Sequence, residues 1–267
     1  MIGQDEIIKT LQWMNKEMFP QSNLVIGEHG AGKHTFIDEV CHKFNMEKYD
    51  ITDTITKEFL DDLYISSNQY VYIIDIIELS KKTRYINKEN ALLKFIEEPP
   101  EGCIIFILVE NDIQIISTIR NRCMIWRFKR YLPDTLRPFK KFTNDDIYYI
   151  VDTPGKLLAC EDEVYYNELF DLCDKILCSI GRANVSNTLS LEKHFINDDA
   201  KYTLEMFLKG MLITVYNVFL KTFEQKYLDI YFLTNDYLRR SFALNVNKKY
   251  LFDSYMMKFK EIYDKSE

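Results

Sequence analysis

The residues best equipped for chemistry form the run Gly27-Glu28-His29-Gly30-Ala31-Gly32-Lys33-His34-Thr35. Gly27, Gly32 and Lys33 fit the spacing G-x-x-x-x-G-K-[ST] of a phosphate-cradling loop. Small residues are required because backbone N–H groups must close around phosphate oxygens. A following helix N-terminus adds a favourable dipole, and Lys33 is placed to reach the terminal phosphates. One position departs from the pattern. His34 stands where a hydroxyl would coordinate Mg²⁺, and imidazole is a poor replacement for a hard oxygen ligand. Thr35 is adjacent, but on a helix its side chain points about 100° away. The loop (Gly27, Gly30, Gly32, Lys33, His34, Thr35) is therefore expected to bind nucleotide, with ATP as the ligand and Mg²⁺ only weakly supported. A glycine-rich turn without any ligand would carry the same local signature.

A second acidic position follows. Tyr70-Val71-Tyr72-Ile73-Ile74-Asp75 is an apolar strand ending in an acid, and in nucleotide hydrolases with a phosphate loop such an acid helps hold the metal. The residue after it, where a water-polarising glutamate would serve hydrolysis, is Ile76. Glu78 lies three positions beyond Asp75 and is expected to point elsewhere once the strand ends. Asp75 is alternatively a simple cap for the next turn. Changes at both His34 and Ile76 favour a protein that no longer hydrolyses nucleotide itself.

Elements must position these groups. Asn23–Ile26, Tyr70–Asp75 and Cys103–Val109 are short, apolar runs expected as strands covered on both faces, with weaker candidates at Tyr49–Ile51 and Met124–Phe128. Helical patterns separate them at Asp5–Glu17, Thr35–Phe44, Lys88–Glu97 and Ile113–Thr118. Alternation of strand and helix implies a parallel α/β sheet with helices on its faces. After about Phe128 the pattern turns helical, as in Tyr165–Ile180, Ala200–Leu220 and Tyr250–Tyr263.

The segment Asn90-Ala-Leu-Leu-Lys-Phe-Ile-Glu-Glu-Pro-Pro100 resembles the N-A-L-L-K-x-L-E-E-P-P segment of bacterial clamp-loader ATPases of the AAA+ class, the gamma/tau and delta-prime subunits of DNA polymerase III. Read without that likeness, it is an amphipathic helix stopped by a proline pair. Cys103–Asn111 is similar to the family's sensor 1 strand, which implies that Asn111 lies near the γ-phosphate. Thr118-Ile-Arg-Asn121-Arg122-Cys123 resembles T-I-x-S-R-C, with Asn121 in place of serine. The likeness implies that Arg122 is an arginine finger reaching a neighbour's ATP; alone, it is a surface arginine in an ion pair. Thr153-Pro-Gly-Lys156 resembles the sensor 2 segment and implies a nucleotide-facing role for Lys156. The domains implied are an α/β unit at 1–130, a small helical lid at 131–160 and a helical collar and oligomerisation domain at 161–267. The four-cysteine zinc module of the bacterial pattern is absent, which leaves open a cellular or a phage-encoded origin.

Bulk properties set the limits. Among 267 residues, 47% are hydrophobic and 28% charged, with a net charge of −7, whereas a dedicated nucleic-acid binder is usually basic. DNA contact would need a local patch, and the candidates are Lys81, Lys82, Arg84, Arg127, Lys129 and Arg130; a solvated charged face fits equally well. Six cysteines without a C-x-x-C pair argue for reduced thiols and against zinc. No signal peptide and no apolar run near the ~18 residues of a membrane span are present, so a cytoplasmic protein is expected. His29, His42 and His194 are isolated and read as structural. The resemblance implies other clamp-loader subunits, a sliding clamp and primer–template DNA as partners. Two alternatives stand beside the delta-prime-like subunit: an active gamma-like motor in which Thr35 serves the metal, and a nucleotide-free scaffold.

Overall fold

The computed structural model describes residues 2–65, 69–82, 86–180, 190–196 and 199–265, without the side chains of 57, 80–82 and 86–91. The chain divides into two compact units, Met1–Tyr131 with Thr153–Leu158, and Leu132–Asp152 with Ala159–Glu267.

The first unit is built on five parallel strands: β1 (Ser22–Ile26), β2 (Glu47–Asp50), β3 (Tyr70–Asp75), β4 (Ile104–Val109) and β5 (Met124–Arg127), in the spatial order β2-β3-β4-β1-β5. Strands β1 and β4 are buried along their whole length, which is why they read as unbroken apolar runs. Val25 pairs with Leu108 on one side and Trp126 on the other, so β1 is central. The edge strand β2 is exposed throughout and carries Glu47, Lys48 and Asp50, charges that discourage pairing with another chain. Helices α1 (Asp5–Trp13), α2 (Lys33–Phe44), α3 (Lys57–Ile65), α4 (Ile76–Lys82), α5 (Ile86–Glu97) and the short α6 (Ser117–Arg120) connect the strands.

An aromatic core fixes α2 behind the sheet. The Phe36 ring lies 4.9 Å from Trp126 and 5.8 Å from Phe106. Phe19 stacks on Trp126 at 5.7 Å. Asn23 is the polar exception inside β1. Its side-chain oxygen accepts from Trp126 Nε1 at 2.9 Å and its amide donates to the Pro20 carbonyl at 2.7 Å, so its burial leaves these groups satisfied.

Several sequence expectations shift here. The helix expected at Asp5–Glu17 ends at Trp13, and Ile113–Thr118 is no single helix but a 3₁₀ turn at Asp112–Gln114 followed by α6. Helix α3 was not anticipated. Its signal was Thr56, whose hydroxyl accepts the Phe59 N–H at 3.1 Å as an N-terminal cap would.

The second unit is helical: α7 (Pro133–Leu136), α9 (Glu163–Ser179), α10 (Leu204–Thr222), α11 (Gln225–Ser241) and α12 (Lys248–Asp264); α8 (Pro154–Leu158) belongs to the first unit. Phe207, Phe252, Tyr255 and Phe259 fill its core. Gly210 lets α9 and α10 approach, since a Cβ there would sit 3.1 Å from Cys173 Sγ. Lys209 is buried but answered by Asp152 at 2.6 Å and Glu205 at 3.1 Å. No described helix is long and apolar enough to cross a membrane.

Candidate functional site

The phosphate loop leaves the C-terminal end of β1, the end at which parallel α/β sheets bind ligands. Gly27 continues the strand, donating its N–H to the Val109 carbonyl at 3.1 Å. It must lack a side chain, because a Cβ would meet Phe128 Cβ at 2.7 Å. Gly32 caps α2 with φ +96°, a left-handed conformation that glycine adopts without strain. The first-turn N–H groups of α2 have no helical acceptor and face the loop.

A cavity of about 940 Å³ opens over this turn. Of the residues expected at the site, Gly30, Gly32, Lys33, His34, Thr35 and Asp75 line it. Residues that sequence reasoning left out join them: Thr52, Asp53 and Glu110, together with His29, which had read as structural. Glu78, expected to point elsewhere, also lines the cavity. The reason is local: α4 starts directly at Ile76 and carries residue 78 round its first turn. Gly27, Asn111, Lys156 and Arg122 do not line it.

Lys33 is buried and folds back, donating to the carbonyls of Gly27 at 2.5 Å and Glu28 at 3.2 Å. Burial pushes its ammonium below the usual lysine range, while the carboxylates of Glu110, Asp75 and Glu28 oppose that shift. Asp75 does two things at once. Its carboxylate accepts the N–H groups of Ile77 at 2.9 Å and Glu78 at 3.2 Å, capping α4, and it borders the cavity. Its own N–H is held by the Thr52 hydroxyl at 2.9 Å. Ile76 is fully buried, so the position after the acid presents no group to a water. Asn111 spends its side-chain oxygen on the Ile113 N–H at 3.0 Å, within a capping box closed by Gln114. The hydroxyls of Thr35, Thr52 and Tyr131, two histidines and several carboxylates line the cavity, but among the described residues no group of three or more His, Cys, Asp or Glu side chains could hold a metal ion.

The segment Thr153–Leu158 packs on the loop. Thr153 Oγ1 donates to the His29 carbonyl at 2.8 Å, and Gly155 N–H donates to the Gly30 carbonyl at 3.0 Å. The backbones meet so closely that a Cβ on Gly155 would lie 2.5 Å from Gly30 Cα. Lys156 thereby reaches Glu28 at 3.1 Å. Gly155→Val is expected to detach this segment, raising hydrogen exchange at the amides of 155 and 157 by at least tenfold while the sheet amides stay protected. Unchanged exchange would show that the close approach is dispensable.

Among the described residues, Arg122, Arg127, Lys129 and Arg130 do not line the cavity and face acids of this chain. Arg122 Nε bonds Glu97 and its NH1 donates to the Thr118 carbonyl at 2.9 Å. Arg127 grips Asp112 with two bonds of 2.7 Å. Lys129 pairs with Glu6 at 2.7 Å, and Arg130 stands 3.8 Å from Glu28. Arg84 lies outside the described residues, as do the side chains of Lys81 and Lys82.

Residues 46–131 match the family model described as DNA polymerase III, delta subunit. The tau subunit of DNA polymerase III from Bacillus subtilis is 29% identical, over 49% of this chain and 28% of that protein. The delta' subunit from Buchnera aphidicola is 27% identical over 35% of this chain and 26% of its own length. The gamma/tau subunit from Mycoplasma genitalium is 27% identical over 92% of this chain and 46% of its own length. The chain thus spans less than half the length of each of these relatives. Among solved structures, the Thermotoga maritima RuvB Holliday junction branch migration motor aligns with 79% of this chain and 70% of its own at 17% identity and a TM-score of 0.41.

Proposed function

We propose that the chain, which is similar to the gamma/tau and delta-prime subunits of DNA polymerase III, works as a non-hydrolysing or weakly hydrolysing AAA+ subunit of a sliding-clamp loader. In that role it binds ATP at the phosphate loop, donates Arg122 to the ATP of a neighbouring subunit, and helps place a clamp on primer–template DNA. The observation that carries the reading is a formed cavity lacking two hydrolytic groups. Lys33 and Asp75 line the cavity, but His34 stands at the metal-serving position and the buried Ile76 follows the acid. Mg²⁺ would take its oxygen donors from the phosphates, Asp75 and the other carboxylates lining the cavity rather than from His29 or His34.

The DNA-facing role of Arg127, Lys129 and Arg130 requires exchange of their present carboxylate partners for phosphates. The exposed pairs of Arg127 and Lys129 are worth about 0–1 kcal/mol each, so their exchange costs little. The delta-prime-like assignment and the nucleotide roles of Asn111 and Lys156 belong to the same proposal. Asn111 would need to give up its capping bond to reach a phosphate.

The test separates binding from turnover. The purified chain is expected to bind ATP in equilibrium dialysis without detectable hydrolysis, and Lys33→Ala is expected to abolish binding. A second reading, an active motor, has one observation in its favour: Thr35 and Glu78 line the same cavity as Asp75. Hydrolysis by the isolated chain that disappears in Lys33→Ala would establish that reading instead.

A further inference from the structure

On the premise that this cavity is a nucleotide site, we propose that Glu28, inside the phosphate loop, sets its affinity by acting as a built-in anion that holds the cations a phosphate would otherwise take.

The general loop pattern leaves the position after the first glycine unspecified, and here it is filled by an acid. Its carboxylate does not project into solvent. Glu28 Oε2 accepts from Lys156 Nζ at 3.1 Å, with both side chains only 20% exposed. Glu28 Oε1 faces Arg130 Nε at 3.8 Å. The carbonyl of the same residue accepts from Lys33 Nζ at 3.2 Å, beside the 2.5 Å bond to Gly27. Three cations around the loop are thus engaged by the loop itself.

Glu28 and Lys156 do not themselves line the cavity, but the charge of its lining reinforces this. Asp50, Asp53, Asp75, Glu78 and Glu110 border it, against Lys33 as the lining ammonium. An incoming polyphosphate meets this excess of negative charge with His34, not a hydroxyl, at the loop position that usually serves the metal. It must then compete with the Glu28 carboxylate for Lys156, whereas Lys33 has only backbone carbonyls to leave. Half-buried charges so close interact strongly, because water screens them only in part. Lys156 is held in place for the exchange, since its backbone is docked on Gly30 through Gly155. Glu28 therefore acts as a specificity-determining residue: it disfavours polyphosphate occupancy and releases Lys156 only when a ligand of sufficient charge displaces it.

The test uses the full chain and ATP itself, measured by equilibrium dialysis with and without Mg²⁺. Glu28→Gln keeps the side chain's size and removes its charge, and is expected to tighten ATP binding about tenfold. Glu28→Ala covers the case in which the glutamine variant folds poorly, and is expected to act in the same direction. The double variant Glu28→Gln/Lys156→Met is expected to lose most of the gain, because the released ammonium is what the phosphate acquires. Asp134→Asn, a change at an exposed acid paired with Arg137, is expected to leave affinity as in the parent chain. Affinity of Glu28→Gln and Glu28→Ala within twofold of the parent, with Lys33→Ala still abolishing binding, overturns the role of Glu28 and leaves the nucleotide site standing. Full retention of the gain in the double variant overturns the part assigned to Lys156. ATP bound by none of these proteins overturns both the role of Glu28 and the nucleotide site.

Discussion

If Arg122 is the proposed arginine finger, Arg122→Ala is expected to slow ATP hydrolysis at a neighbouring subunit's site by about 10³-fold, the lower end of what an arginine finger contributes. That factor corresponds to about 4 kcal/mol of transition-state stabilisation. The folding cost should be small by comparison. Arg122 follows the short helix α6 with its side chain 38% exposed, tied to Glu97 and to the Thr118 carbonyl. A surface ion pair of this kind contributes about 0–1 kcal/mol. The variant should therefore fold, join its partners and fail only in turnover. Arg122→Lys should not restore the rate, because a lysine keeps the charge but not the planar fork that bridges phosphoryl oxygens. The measurement is the ATPase rate of the complex reconstituted with its co-expressed subunits, beside a gel-filtration profile of the same sample. An unchanged rate in a fully assembled complex would remove Arg122 from the mechanism and leave it as the ion-pair partner of Glu97.

Phe36→Ala is expected to destabilise the α/β unit by about 3–5 kcal/mol, a large share of the roughly 5–15 kcal/mol by which domains are stable. Phe36 is fully buried on α2, one turn beyond Lys33, with ring neighbours Trp126 at 4.9 Å, Phe106 at 5.8 Å and Phe128 at 6.1 Å. Truncation would leave a cavity between helix and sheet and remove these ring contacts. Phe36→Leu should cost distinctly less, since it retains most of the buried volume. Urea unfolding followed by tryptophan fluorescence reads the effect through Trp126. A loss below about 1 kcal/mol for Phe36→Ala would mean that the core collapses around the gap and that α2 is not held by this ring.

Much of the fold was legible because burial leaves a period in the sequence. The central strands could be read as apolar runs, and they are β1, β3 and β4. Helices that cap themselves with polar residues were harder. Thr56 and Asp75 begin α3 and α4, yet each belongs by sequence to a stretch that also reads as loop or strand end. At Asp112–Gln114 the capping box of Asn111 and Gln114 closes a 3₁₀ turn where apolar spacing suggested a longer helix.

The candidate site divides along the same line. The sequence by itself determined the local chemistry: a glycine loop with Lys33, an acid at the end of an apolar strand, and His34 and Ile76 at the positions where a metal-binding hydroxyl and a water-polarising glutamate would be expected. Those features depend on residues adjacent in the chain, so spacing alone reveals them. Tertiary structure decided which distant groups meet. Thr52, Glu78 and Glu110 border the cavity, and Gly155 presses against Gly30 to bring Lys156 to Glu28, 128 positions away. Parallel strands bring their C-terminal ends to one edge while their loops are separated by long helices. Electrostatic partners across that edge follow from packing, and no local pattern encodes them.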